Sequence, residues 1–178
     1  MPDNYLLDTN ILRYWYDDRC KEHAKVLARV EAVCRCDPQT QYVSRLFVSV
    51  VTLGEIEYGH RVTATPDAAK QSAYRTFVFE QCPERLEITQ PVGEHYGNLK
   101  AWLFNTYSDK KKRTKAQRVN QFVDPMPARE LGADENDIWI AAQAMTFTLV
   151  LVTHDSRGHF GELQRQFGPT LRVEDWTQ

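Results

Sequence analysis

Two short apolar segments that each lead into an aspartate constrain the fold more than any other feature of this sequence. Near the start of the chain Tyr5-Leu6-Leu7 precedes Asp8, and near its end Leu149–Thr153 precedes His154-Asp155. A short, continuously apolar run is typical of a strand that is buried on both faces of a parallel sheet. Ligand sites in open α/β sheets lie outside the carboxyl ends of the strands. Both aspartates are therefore predicted at one rim of a sheet, where a binding site would form.

The chain between these two strands alternates between helical and strand patterns. Helices are predicted over residues 22–34, 66–81 and 91–103. Further short strands are predicted at Leu46–Val48, Leu86–Ile88 and Leu171–Val173. Such alternation favours an α/β fold, here a three-layer α/β/α sandwich with a mainly parallel central sheet. No repeat or linker divides the chain, so residues 1–178 are predicted to form a single domain.

The periodicity stops between residues 108 and 132, and we interpret this stretch as a long basic loop inserted into the domain. Its basic residues, which are candidates for RNA binding, are Lys110, Lys111, Lys112, Arg113, Lys115 and Arg118. Loops of this length are usually functional or disordered. A basic run can bind phosphates electrostatically, but it can equally be a solvated loop, and the sequence leaves both interpretations open.

The composition is that of an ordinary globular protein. The 178 residues are 42% hydrophobic and 26% charged, with a formal net charge of -2. Neither a secretory leader nor an apolar run of membrane-spanning length is found, so we expect a cytoplasmic protein without membrane association. The four cysteines lack zinc-site spacing and are expected to be reduced thiols.

Two further acidic residues are predicted near the same rim, each in the first turn of a helix. Thr52 and Glu55 fit a T-x-x-E capping box, and Asp137 falls at the third helical position if Asp134 is the N-cap. Each can be explained by its helix alone, because a carboxylate in a first turn caps the helix or compensates its dipole. Spacing also leaves open whether Glu55 or the nearby Glu57 serves a site.

Four carboxylates gathered at one rim would repel one another unless they are protonated or bind cations. Mg²⁺ and Mn²⁺ are the expected cofactors, because hard cations prefer oxygen ligands. Such an ion would lower the pKa of a bound water and stabilise charge on a phosphate. The chain has no G-x-x-x-x-G-K-[ST] motif, which disfavours an NTPase. Our main hypothesis is therefore metal-dependent hydrolysis of a phosphodiester.

Four segments together resemble the motifs of PIN-domain ribonucleases, and most of all those of the VapC toxins. The segments are Tyr5–Asn10, Ser49–Gly59, Glu135–Ala142 and Leu151–Asp155. The resemblance implies a compact α/β/α sandwich and a Mg²⁺- or Mn²⁺-dependent endoribonuclease. It also implies a homodimer and an antitoxin partner whose tail blocks the active-site groove.

The resemblance assigns the four family acids to particular positions of this chain. In order, these acids match Asp8, Glu55, Asp137 and Asp155, which are candidate catalytic residues and metal ligands. The match selects Glu55 over Glu57, and Asn10 and Thr153 fall at supporting polar positions. Two departures are His154, where the family commonly has Asn, and the basic insertion, which makes this chain longer than a typical toxin of the group.

Two alternatives to a ribonuclease remain open from the sequence. The chain could be a non-catalytic PIN-fold module that binds nucleic acid or a protein through its basic loop. It could also be a metal-dependent phosphoesterase that acts on DNA or on a small phosphate ester. Retention of all four acids favours catalysis, since a degenerate copy would usually lose one of them.

Overall fold

A parallel β-sheet forms the centre of the fold. The computed structural model describes residues 3–36, 41–108, 134–155 and 159–178, and the backbone of residues 123–124 and 129–130. The sheet has the strand order β3-β2-β1-β6-β7. Its strands are β1 (Tyr5–Leu7), β2 (Leu46–Ser49), β3 (Glu84–Leu86), β6 (Val150–Val152) and β7 (Arg172–Glu174). A separate antiparallel pair is formed by β4 (Val123–Asp124) and β5 (Arg129–Glu130).

Helices cover both faces of this sheet, which confirms the predicted three-layer α/β/α fold. The helices are α1 (Thr9–Tyr16), α2 (His23–Val33), α3 (Val50–Val62), α4 (Ala68–Gln81), α5 (Gln90–Tyr107), α6 (Glu135–Thr146) and α7 (His159–Phe167). Leu6 and Leu151 belong to the core beneath α5, α6 and α7, whereas Leu7 and Val152 belong to the core beneath α1 to α4. Successive side chains of a strand point to opposite faces, so the central strands must be apolar throughout.

The register of the sheet aligns the carboxyl ends of its central strands. Leu7 pairs with Val48 of β2 on one side and with Val152 of β6 on the other. The residues that follow Leu7 and Val152 are Asp8 and Thr153, so both lie at the same rim of the sheet. The predicted placement of the first aspartate at the tip of a buried parallel strand is therefore confirmed.

Some element boundaries differ from the predictions. Strand β3 is Glu84–Leu86 rather than Leu86–Ile88, because pairing with β2 fixes it and leaves Ile88 exposed. The helix predicted over residues 66–81 is α4, and it begins at Ala68. The stretch predicted as a loop contains the β4–β5 pair, and most of its other residues lie outside those described.

Two compositional expectations can be compared with the structure. None of the helices in the described ranges has both the length and the apolar character needed to cross a membrane. The four cysteines all lie in the described part of the chain and form no disulfide.

Candidate active site

Asp8 lies where β1 ends and serves as the N-cap of α1. Its Oδ1 accepts a hydrogen bond of 2.7 Å from the backbone N–H of Thr9, one of the orphan donors of the first helical turn. Its own N–H donates to the carbonyl of Val152 at 3.0 Å, which ties the strand tip to β6. The side chain is held by backbone geometry and is almost completely buried, with a relative exposure of 7%.

Thr153 connects Asp8 to the fourth acid, Asp155. Its hydroxyl is completely buried and donates to Oδ2 of Asp8 at 2.9 Å. The hydroxyl oxygen of Thr153 also accepts a hydrogen bond from the backbone N–H of Asp155 at 3.2 Å. A hydroxyl can donate once and accept at its lone pairs, so a single threonine orients the Asp8 carboxylate and fixes the backbone of Asp155 at the tip of β6. The polar position predicted at Thr153 therefore has a direct structural contact with the first acid.

Glu55 lies in the second turn of α3 and not in its first, so the predicted capping box is wrong. The helix begins at Val50 with Ser49 as its N-cap, whose hydroxyl accepts from the N–H of Val51 at 2.9 Å. The local sequence allows the helix to be capped by Ser49 or by Thr52, and the end of β2 at Ser49 selects the earlier start. The hydroxyl of Thr52 is consequently buried inside the helix with no hydrogen-bond partner in the described chain.

Two donors from distant elements hold the carboxylate of Glu55. The Thr9 hydroxyl donates a short hydrogen bond to Oε2, and the Asn136 amide donates to Oε1 at 2.9 Å. Glu57 points away from these partners and forms ion pairs with Arg75 and Arg61. The geometry thus places Glu55, and not Glu57, beside the elements that carry the other acids.

Asp137 lies in the first turn of α6. Asp134 is the N-cap of this helix, so Asp137 takes the third helical position, as expected for that N-cap. The Asp134 side chain accepts from the N–H groups of Asn136 and Asp137 at 2.7 and 3.0 Å. In return Oδ2 of Asp137 accepts from the N–H of Asp134 at 2.8 Å. This reciprocal pair fixes the carboxylate at the helix start, where the helix dipole favours negative charge.

His159 joins the third and fourth acids, and sequence reasoning missed it. Its Nε2 lies 3.1 Å from Oδ2 of Asp137, and its Nδ1 lies 2.9 Å from Oδ2 of Asp155. Neither ring N–H is aligned well enough with its carboxylate to count as a hydrogen bond, so these contacts are ion pairs by distance. The available signal was the spacing of four residues between Asp155 and His159 directly before the apolar stripe of α7.

The charge state of His159 follows from these two carboxylates. The imidazole is only 2% exposed, and burial by itself lowers its pKa. The contacts with Asp137 and Asp155 outweigh burial and raise the pKa to about 9. His159 is therefore a cation at neutral pH, and it supplies positive charge between two of the four acids.

The contacts described above close into a ring that includes all four predicted acids. The ring runs through Asp8, Thr153, Asp155, His159, Asp137, Asn136, Glu55 and Thr9. Every adjacent pair is a hydrogen bond, an ion pair or a peptide neighbour. The structure thus brings together carboxylates from β1, α3, α6 and the segment after β6, as a shared rim predicts.

The electrostatics of Asp8 show that negative charge accumulates inside this ring. The pKa of the Asp8 carboxyl is raised to about 6, and burial is the largest cause. The charges of Asp137 and Glu55 raise it in the same direction, whereas hydrogen bonds from Thr153 and Thr9 lower it. A like charge within a few ångströms disfavours ionisation, so a cation between these groups would relieve the repulsion.

The oxygen donors of the ring suit a divalent cation that keeps several of its waters better than a cation that is enclosed by protein ligands. Within the ranges that the structure describes, no three His, Cys, Asp or Glu side chains are arranged so that they could enclose a metal ion. Mg²⁺ usually keeps several waters and takes only one or two carboxylates, so it does not require such a cage. Asp8, Glu55 and Asp137 are the residues that could hold the ion, directly or through water.

The remaining predicted site residues differ in how they relate to the ring. Asn10 is exposed in the first turn of α1, on the helix that Asp8 caps. His154 is exposed beside Asp155, and its Nδ1 lies 2.9 Å from the hydroxyl of Tyr14. The six basic residues between Lys110 and Arg118 lie outside the described residues.

Comparisons with known proteins give a family and a set of similar folds. A family model described as "PIN domain" matches residues 5–165. No match is found among curated protein sequences. Similar solved structures include VapBC-1 from nontypeable Haemophilus influenzae, DNA-bound VapBC from Salmonella typhimurium, and VapBC-5 from Mycobacterium tuberculosis, which is described as a member of the VapBC family of toxin-antitoxin systems.

The similarity to these three structures extends over whole chains. Sequence identities are 23%, 21% and 22% in the same order, with TM-scores of 0.61, 0.60 and 0.54. The matches cover 98%, 97% and 98% of this chain and 98% of each matched chain. At these identities the likeness is one of fold.

Proposed function

The chain belongs to the PIN-domain family, and from that premise we propose that it is a metal-dependent endoribonuclease. Family membership supports a nuclease in the coarse sense, and RNA as substrate and Mg²⁺ or Mn²⁺ as cofactor are the finer parts of the proposal. The observation that carries it is the ring that joins Asp8, Glu55, Asp137 and Asp155 at the carboxyl rim of the sheet.

The residues of the ring have different roles in this proposal. Asp8, Glu55 and Asp137 supply the oxygen ligands in this proposal. They are grouped because the charges of Glu55 and Asp137 raise the pKa of the Asp8 carboxyl. A divalent cation held by them would lower the pKa of water and offset negative charge on the scissile phosphate. The Asp155 carboxylate pairs with His159, and the backbone N–H of Asp155 donates to Thr153, so in this proposal Asp155 orients the site instead of acting as a main ligand.

The bridging residues fix the carboxylates before substrate arrives. Thr153 donates to Asp8, and Thr9 and Asn136 donate to Glu55. Partners of this kind set the orientation and basicity of metal ligands, and their loss typically lowers metal affinity or activity by about 10- to 100-fold. Preorganisation matters because an active site that is already oriented does not reorganise during the reaction.

We further propose that the protein is the toxin of a toxin–antitoxin pair. The three similar structures are described as VapBC proteins, one of them as a member of a family of toxin-antitoxin systems, and they match this chain over almost its full length. An antitoxin protein and a second copy of this chain are accordingly the proposed partners. Size-exclusion chromatography of the purified protein tests for the second copy, and co-purification of another protein with the tagged chain tests for the antitoxin.

One observation favours a non-catalytic binding module as the second candidate. Each of the four carboxylates already has a hydrogen-bond or ion-pair partner in the protein, and no closed metal-binding group is found among the described residues. Such a module would bind RNA in a salt-sensitive manner without cleaving it. Cleavage that depends on metal excludes this alternative.

The deciding experiment measures cleavage of a mixed tRNA and messenger RNA pool with Mg²⁺, Mn²⁺ or EDTA. Glu55→Gln and Asp8→Asn should abolish metal-dependent cleavage. Glu57→Gln is the matched control, because it removes a carboxylate from the same helix that pairs with Arg75 outside the ring. RNA that stays intact with a folded, metal-loaded wild-type protein would refute the nuclease proposal, and a parallel DNA substrate would reveal a different phosphoesterase.

A further inference from the structure

A polar groove of about 500 Å³ lies beside the candidate active site, on the side of the ring where Asp155 lies. Its lining includes Lys21 and Lys25 from the start of the α2 region, His154 from the segment after β6, and Thr177 from the segment after β7. His154 directly precedes Asp155 in the chain, so the groove opens next to the proposed cleavage site.

We propose that this groove binds a backbone phosphate of the RNA strand, on one side of the phosphate that is cleaved. The inference rests on the proposed function, since it extends the substrate contact of the same site. Phosphate contacts position a nucleic acid on a protein and carry no sequence information. The groove would therefore set where the strand lies relative to Asp155 without selecting a base.

His154 is oriented so that it can serve as a donor in the groove. Its Nδ1 lies 2.9 Å from the Tyr14 hydroxyl, and the two rings meet edge to face with centroids 5.6 Å apart. Burial raises the pKa of Tyr14, so the hydroxyl keeps its proton and can donate it to Nδ1. In that arrangement Nε2 carries the ring N–H and stays available to an acceptor in the groove.

The lysines provide exposed positive charge in the same groove. The Lys21 side chain is 89% exposed, and among the described residues its ion-pair partner is Glu22 at 3.4 Å. Lys25 donates one hydrogen bond of 2.9 Å to the carbonyl of Thr177, and its ammonium has two further protons. Both ammonium groups can therefore meet a phosphate while they keep their protein contacts.

The two acidic residues of the lining balance the formal charge of the two lysines, but both acids already have protein contacts. Glu22 is largely buried, with a relative exposure of 9%. Asp175 accepts hydrogen bonds from the backbone N–H and the hydroxyl of Thr177 at 2.8 and 2.6 Å, and from the Gln178 amide at 2.8 Å. These donors contact both of its carboxylate oxygens, whereas the Lys21 side chain is exposed and the Lys25 ammonium keeps two further protons.

The lining also distinguishes a phosphate from a base as the occupant. Bases of single-stranded RNA are usually held by stacking on aromatic side chains. Among the described residues, lysine, glutamate, histidine, aspartate, threonine and glutamine line the groove. The one aromatic ring among these residues is the imidazole of His154, which meets the ring of Tyr14 edge to face. Ammonium and imidazole N–H groups are typical phosphate donors.

The test compares Lys21→Ala and His154→Ala with a matched control, Lys70→Ala. Lys70 has a similarly exposed side chain, at 78%, and a similarly loose ion pair of 3.9 Å with Asp67, but it lies on α4 and away from the groove. Binding of a labelled single-stranded RNA is measured in EDTA by fluorescence anisotropy over a salt series. KM for cleavage is measured in Mg²⁺.

We expect Lys21→Ala to reduce the slope of log affinity against log salt by about 0.7, which is about fivefold in affinity at about 0.1 M salt. His154→Ala should also weaken binding, and both effects should be equal for RNAs of different sequence. KM should rise in parallel, and Lys70→Ala should match the wild type in both assays.

Two outcomes would overturn the inference, and they can be told apart. If wild-type protein cleaves RNA while Lys21→Ala and His154→Ala bind and cleave like Lys70→Ala, the groove holds no phosphate and the ribonuclease proposal stands. If wild-type protein neither binds nor cleaves RNA, the ribonuclease proposal itself fails and the groove assignment fails with it. Urea unfolding of each variant separates loss of binding from loss of fold.

Discussion

Replacing His159 with phenylalanine should destabilise the metal-free protein, and the loss should depend on pH. Phenylalanine keeps an aromatic ring at a position that is 2% exposed, but it removes the cation between Asp137 and Asp155. The pKa of His159 rises from 6.5 to about 9 on folding, and each pKa unit corresponds to about 1.4 kcal/mol. The ion pairs therefore contribute about 3 kcal/mol when His159 is fully protonated.

The sign of the pH dependence follows from the direction of this shift. Because the pKa is raised in the folded state, the stabilisation is complete below about pH 6.5 and is lost as the pH rises through about 9. The difference in unfolding free energy between wild type and His159→Phe should thus be about 3 kcal/mol near pH 6 and small above pH 9. A loss of this size is a large part of the 5–15 kcal/mol that typically stabilises a domain.

Urea unfolding in EDTA, followed by circular dichroism at several pH values, measures this difference directly. A double-mutant cycle of His159→Phe with Asp155→Asn isolates the part that comes from that one pair. If the loss were the same near pH 6 and above pH 9, His159 would act through packing and not through charge, and the reasoning would be refuted.

Three further predictions concern the same ring. Asp8→Asn should stabilise the EDTA-treated protein by about 3 kcal/mol at pH 7, because the pKa of this carboxyl is raised from 3.8 to about 6 and each pKa unit costs about 1.4 kcal/mol once the group ionises. The gain in urea unfolding should fade as the pH drops toward 4, and an equal gain there would contradict the prediction. Thr153→Val should lower the free energy of unfolding by about 1–3 kcal/mol in the same assay, since it leaves Asp8 without its buried hydroxyl donor. An unchanged free energy of unfolding would mean that this hydrogen bond is not formed. Asn136→Ala should lower metal-dependent RNA cleavage by about 10- to 100-fold through the orientation of Glu55, and full activity would remove Asn136 from the site.

The ring also explains how four acids coexist at one rim in a stable fold. Three of its bridges are neutral donors and one is the His159 cation, so each carboxylate meets at least one positive or hydrogen-bonding partner. Asp8 nevertheless remains strained electrostatically, as its raised pKa indicates. Functional sites commonly retain such a cost because their chemistry requires the charge.

Local sequence patterns account for the features that depend on residues close together in the chain. Short apolar runs specified β1 and β6, because strands at the centre of a parallel sheet are buried on both faces. The spacing of Asp134 and Asp137 specified the start of α6, because a capping box is a contact between residues three apart. The position of Asp8 after a buried strand placed it at the rim.

The residues that connect the acids come from distant elements, so no local pattern identifies them. Glu55 meets Asn136 from 81 residues away and Thr9 from 46 residues away, and the order and register of the sheet create those contacts. Likewise, the end of β2 set the start of α3 at Val50, so Glu55 faces the ring while Glu57 faces Arg75. His159 became part of the site because the packing of α7 brings its ring between two carboxylates. Local pattern fixes where an element begins, whereas contacts between distant residues arise only when the elements pack.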